Sequence, residues 1–92
     1  MERETIWKFP LKVTDENRLE MPKQAQILSI QTQDDIPCIW ALVNPNLSKD
    51  TRIFEIFGTD HPIITDIGTQ RLFLATFQLS NGLVFHVFER LD

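Results

Sequence analysis

Five consecutive residues, Gly58-Thr59-Asp60-His61-Pro62, gather more chemistry than any other stretch of this 92-residue chain. Glycine permits unusual backbone angles, threonine and aspartate offer oxygens, and an imidazole titrates near neutral pH. Loops held on a rigid scaffold often carry function. The plainer reading is a tight turn in which Thr59 or Asp60 caps the next segment and Pro62 fixes the exit. Arg52, Arg71 and Arg90 offer planar forks suited to phosphate or carboxylate. An anionic ligand or partner would therefore be met by this loop together with at least one of these arginines. Trp7, flanked by Glu4 and Lys8 in a stretch that reads as a sheet edge, could add a stacking platform. Trp40 sits in an apolar run and reads as core.

Other groups could do chemistry only in combination. His86 lies in Val84-Phe85-His86-Val87-Phe88 and by alternation shares a face with Val84 and Phe88. It reads either as a core-edge histidine with one satisfied nitrogen or as the second imidazole of a small hydrolytic site with Asp60, His61 and Glu89. Two histidines without HxH, HExxH or CxxC spacing give no protein-built metal site. Ser29, Ser48 and Ser80 have no nucleophile elbow around them. Glu55 and Glu89 occupy polar phases of strands, so each faces water or meets Arg52, Arg71 or Arg90 across a ladder. No glycine-rich phosphate fingerprint is present. The sequence thus assigns no catalytic residue and no cofactor. Cys38, the sole cysteine, lies in Ile36-Pro37-Cys38-Ile39-Trp40-Ala41-Leu42-Val43 and reads as a buried, inert thiol.

Positioning these groups falls to short strands. Thr5–Phe9, Arg18–Met21, Ala25–Thr32, Pro37–Val43, Thr51–Phe57, Leu72–Leu79 and Leu83–Glu89 alternate or run apolar, with turn residues between them. Pro37–Val43, apolar on both faces, reads as a central strand. The first two strands, joined through Thr14-Asp15-Glu16-Asn17, read as a hairpin carrying Ile6, Trp7, Phe9, Leu19 and Met21. The last two flank Asn81-Gly82, a pair that tolerates the positive φ of a type I′ turn. Ile63–Gln70 has no clear period and reads as an irregular loop or a short helical turn. The resulting fold class is all-β with little helix, a small antiparallel sandwich or open barrel of about seven strands. Residues 1–92 form a single domain.

Composition narrows the partners. The formal net charge is −4 and no basic run exceeds one residue, which argues against generic nucleic-acid binding. The charged N-terminus has no apolar leader-like region, and no run is long enough to span a membrane as a helix. A cytoplasmic location is expected. A domain this small gains stability by pairing subunits, so a homodimer is expected, with the site possibly at its seam.

Several phrases, taken in order, resemble a family of small uncharacterised phage and prophage proteins that share a domain of unknown function. They are Trp7-Lys8-Phe9-Pro10-Leu11, Glu20-Met21-Pro22, Ile36–Val43 with Asn44-Pro45, Phe57–Pro62, Ala75-Thr76-Phe77-Gln78 and Leu83–Glu89. The resemblance covers nearly the whole chain. It implies a phage-encoded, non-enzymatic binding protein in the host cytosol that counteracts a host factor. Such a protein would inhibit a bacterial defence protein or sequester its small anionic nucleotide signal. A nucleotide-sequestering version would draw on Arg52, Arg71, Arg90, Trp7 and His61. A protein-inhibiting version needs an exposed apolar or acidic patch. The alternatives are a small hydrolase or nucleotide-processing enzyme using His61 and His86, and a virion-associated structural protein.

Overall fold

Seven antiparallel strands divide between two sheets. A computed structural model describes residues 2–92; Met1, the first residue of the charged N-terminus, lies outside them. The strands are β1 (Thr5–Pro10), β2 (Glu16–Pro22), β3 (Gln26–Gln33), β4 (Ile36–Val43), β5 (Lys49–Gly58), β6 (Arg71–Gln78) and β7 (Val84–Arg90). One sheet has the order β1-β4-β3 and the other β2-β5-β7-β6. They stack into a flat sandwich of 47 × 37 × 15 Å, whose least dimension suits two layers about 10 Å apart. The all-β reading holds, as a sandwich rather than a barrel. Among the described residues no helix is long and apolar enough to cross a membrane.

The alternation of each strand supplies the core. Ile39, Ala41 and Val43 of β4 face Phe54 and Ile56 of β5 and Val87 of β7, with Ile30, Met21 and Phe77 closing the layer. β4 is central in its sheet, as its two-sided apolarity requires. The Cys38 thiol is buried and donates to the Ile36 carbonyl. Pro10 and Pro22 are each the last residue of an edge strand, where a missing N–H is tolerated.

The first expected hairpin does not form. β1 pairs with β4 and β2 with β5, so the two strands lie in different sheets. The cause lies in Leu11–Asn17. Leu11 is buried, and its N–H donates 2.8 Å to the Pro37 carbonyl, holding the chain beside β4 past Pro10. The buried Asn17 amide then takes over, accepting from the Lys12 N–H and donating to the Lys12 carbonyl, both at 2.9 Å. That side chain does the work of a strand partner and carries the chain across to the second sheet.

Turn chemistry also differs from the sequence reading. At β6–β7 only Gly82 has positive φ, 88°, and Gly82 N–H donates to the Leu79 carbonyl. This is a three-residue loop with glycine in the left-handed position, not a two-residue type I′ turn. The two-residue turn with both central φ positive is Asp34-Asp35, at 51° and 66°, between β3 and β4. Aspartate tolerates that region better than most residues, and here it gains a second role. The Asp35 carboxylate accepts from the Ser80 N–H at 2.7 Å and the Ser80 hydroxyl at 2.8 Å, tying one sheet's hairpin end to the other's.

The Ser80 N–H and then its hydroxyl hold the Asp35 carboxyl below its ordinary value of 3.8. A depressed carboxyl stabilises the fold where it is ionised and loses that contribution as pH falls through its folded value. Asp35→Asn, which keeps the shape and the left-handed tolerance, should therefore melt lower than the parent at neutral pH. The gap should close as the pH is taken below 3.8. Thermal melts of both proteins across that range provide the measurement, and a gap independent of pH would refute the tie.

Candidate functional site

The Gly58–Pro62 loop leaves the end of β5 and closes back on itself. His61 N–H donates to the Gly58 carbonyl at 3.1 Å, and Thr59 N–H donates to the Val84 carbonyl at 3.2 Å. Asp60 carries φ 69° at the turn's third position. The His61 ring folds onto Gly58 so closely that a Cβ there would lie 2.9 Å from His61 Cε1 and Nδ1. A side chain at position 58 would push the exposed His61 ring aside, so Gly58 lets that ring lie over the loop. Asp60→Gly should raise stability by up to about 1 kcal/mol, since it releases a strained left-handed residue. Chemical denaturation checks this, and a loss of stability would mean that the aspartate side chain holds the turn.

His86 proves to be a clasp. Its Nε2 lies 2.8 Å from Thr59 Oγ1 and its Nδ1 lies 2.9 Å from Thr76 Oγ1, so both nitrogens are partnered rather than one. A neutral imidazole has one donor and one acceptor, and hydroxyls can answer either. The loop, β6 and β7 are therefore joined through one ring. This link depends on the β5–β7 and β6–β7 ladders, which place Phe57 and Thr76 opposite His86.

His61 stands between two clefts. One, of about 380 Å³, is lined by Asp15, Glu55, Phe57, Ile64 and Arg71. The other, of about 360 Å³, is lined by Thr59, Leu83, Val84 and Phe85. The structure thus gathers Gly58, Thr59, His61 and Arg71, with Asp60 at the turn. It places the remaining sequence candidates elsewhere. Trp7 is on β1 in the other sheet and packs against the core beside Phe9, their rings 6.3 Å apart. Arg52 lies on the inner side of its sheet, gripping Glu89 through Nε at 2.7 Å and Nη2 at 2.8 Å and the Ala25 carbonyl through Nη1 at 2.7 Å. Arg90 is on the outer face, with Nε and Nη2 on Asp92 and Nη1 at 3.6 Å from Glu55.

Arg71 shares a cleft with His61 and Pro62, and each of its three nitrogens is engaged. Nε donates to Glu55 at 2.7 Å, Nη1 to Thr65 Oγ1 at 3.1 Å and Nη2 to the Ile64 carbonyl at 2.8 Å. The guanidinium also lies 5.5 Å from the Phe57 ring centre. Glu55 and Glu89 therefore meet arginines, one of the two alternatives read from the sequence. Among the described residues no cluster of three or more His, Cys, Asp or Glu side chains could hold a metal ion.

What Arg71 holds in place is a feature that sequence reasoning missed. Residues 63–73 contain five large apolar side chains, and all are exposed: Ile63, Ile64, Ile67, Leu72 and Phe73. Ile64 is 75% exposed and Ile67 is fully so. Ile67 sits at the tip of a turn in which Thr69 N–H donates to the Asp66 carbonyl and Gly68 has φ 90°. Phe73 packs edge-on to Phe88 at 5.4 Å, and Phe88 packs on Phe57 at 5.8 Å, so the apolar surface continues onto the outer sheet face. Further tethers run from Leu91 N–H to the Gln70 carbonyl and from Gln70 N–H to Asp92. The available sequence signal was the lack of any period in Ile63–Gln70: isoleucines without a phase have no buried face to join.

A family model described as a domain of unknown function, DUF7352, matches residues 2–92. No curated protein and no solved structure matches the chain.

Proposed function

Since the chain belongs to the DUF7352 family of unknown function, we propose its role from geometry: a non-enzymatic binding module whose partner is a protein. The observation that carries this reading is the tethered apolar surface of residues 63–73. Exposed apolar surface of this kind marks interaction sites; it runs from Ile64 over Phe57 and Phe88 to Phe73, while Leu72, paired with Glu89, turns to the opposite face of the sheet. Arg71 and Asp92 fix the segment in advance, which lowers the ordering cost of binding. The Asp60 and Asp66 carboxylates flank it without an ion pair among the described residues. The matching partner surface is apolar at its centre with basic residues at its rim.

A protein target fits better than a nucleotide, because the arginines that would grip phosphate already grip carboxylates. Joined to the resemblance to phage proteins, the reading becomes a phage-encoded cytosolic inhibitor of a host protein, with a bacterial defence component as its target. Native mass spectrometry of the protein purified from host cells tests it. The wild type should retain a host protein, and Ile64→Asp/Ile67→Asp should lose it while keeping its fold. Retained nucleotide, or a host protein held equally by the variant, would overturn the reading.

A further inference from the structure

We infer that β1 is a dimerisation edge, along which a second copy of the chain adds antiparallel and extends the three-stranded sheet. β1 ends its sheet, and its pairing with β4 runs through all six residues without a shift. The other edges are blunted. β3 and β6 each carry a register shift, and β2 bears Glu16, Arg18 and Glu20. A regular strand with an unpaired row of backbone groups is a template for another strand.

The direction of that row follows from one bond. Leu11 N–H donates to the Pro37 carbonyl, so position 11 points toward β4. Antiparallel ladders alternate, so Phe9, Trp7 and Thr5 also point inward, while Glu4, Ile6, Lys8 and Pro10 point outward. Proline has no N–H, so the free donors are Glu4, Ile6 and Lys8, with Glu4 lying just before the strand. The same three residues share one sheet face by alternation, and Ile6 is 56% exposed on it.

This row is complementary to itself. With two copies antiparallel and centred on Ile6, Ile6 meets Ile6 of the second copy, and each Glu4 meets a Lys8. All three are then hydrogen-bonded pairs, and opposite charges face each other across the seam. A two-residue slip places an ionic side chain opposite isoleucine instead, and centring on Lys8 opposes two cations. Edge lysines usually discourage pairing; here the Lys8 ammonium, which within its own chain donates to Gln33 Oε1 at 2.9 Å and lies 5.9 Å from the Trp40 ring centre, exchanges that neutral partner for the other copy's Glu4 carboxylate. The arrangement is isologous, so it closes as a dimer.

Sedimentation equilibrium of the full chain, with circular dichroism to confirm folding, tests the inference. The wild type should sediment at twice the chain mass. Glu4→Lys and Lys8→Glu should each convert it to monomer, and the double exchange Glu4→Lys/Lys8→Glu should restore the dimer. A monomeric wild type, single variants that stay dimeric, or a double variant that stays monomeric would overturn it. The edge lies in the sheet opposite the 63–73 surface, so its failure leaves the protein-partner reading standing, and the reverse holds.

Discussion

Arg52→Ala is expected to destabilise the fold by about 2–4 kcal/mol, somewhat below the ~3–5 kcal/mol for breaking a fully buried ion pair from one side, because the Arg52 side chain is still 24% exposed. The Glu89 side chain is only 10% exposed and meets the guanidinium through both oxygens. Removing Arg52 strands that carboxylate beside the core and also orphans the Ala25 carbonyl. Replacing both partners by apolar residues, Arg52→Met/Glu89→Leu, should recover most of the loss, because no buried charge then remains. Urea unfolding of wild type, single and double variants measures this. A single variant within about 0.5 kcal/mol of wild type would place the pair among ordinary surface contacts. A lost interaction on replacing Arg52 would therefore report folding before it reported recognition.

Asn17→Ala should cost about 1–3 kcal/mol, the loss of two hydrogen bonds at about 0.5–1.5 kcal/mol each. The Asn17 amide bonds both backbone groups of Lys12, and it sits where the chain leaves one sheet for the other. Asn17→Asp keeps the acceptor and loses the donor, so it should fall between wild type and Asn17→Ala. Hydrogen exchange at the Lys12 amide gives the local readout. Exchange should quicken in Asn17→Ala, and unchanged protection there would mean that Leu11 alone carries the crossover.

Strand identity was legible because it is written locally. Period-two alternation and the punctuating Pro, Asn-Pro and Asn-Gly residues mark all seven strands. Pairing was less legible. Neighbouring strands usually form hairpins, and what separates β1 from β2 is the buried Leu11 and the amide of Asn17, neither of which has a sequence signature. The turn types were exchanged for a similar reason. Asn81-Gly82 has the residues for a two-residue turn, but the Leu79–Leu83 hydrogen bond sets a three-residue loop, while Asp34-Asp35 takes the double positive φ.

The candidate site was legible in part. The Gly58–Pro62 loop does border both clefts, and the His61 ring lies over Gly58. The link from Thr59 through His86 to Thr76 was hidden, because it needs three strands brought together. The engagement of the arginines could be read only as one possibility, since carboxylate and guanidinium in alternating strands do not reveal which face each takes. The apolar 63–73 surface was hidden because an exposed isoleucine and a buried one look alike without a period.

A photo-crosslinking residue placed at Ile64, and as a control at the exposed Thr51 on the same sheet, tests the central claim most directly in host cells. The account predicts one host protein attached from position 64 and none from position 51. No product at 64, or the same products from both positions, would contradict it.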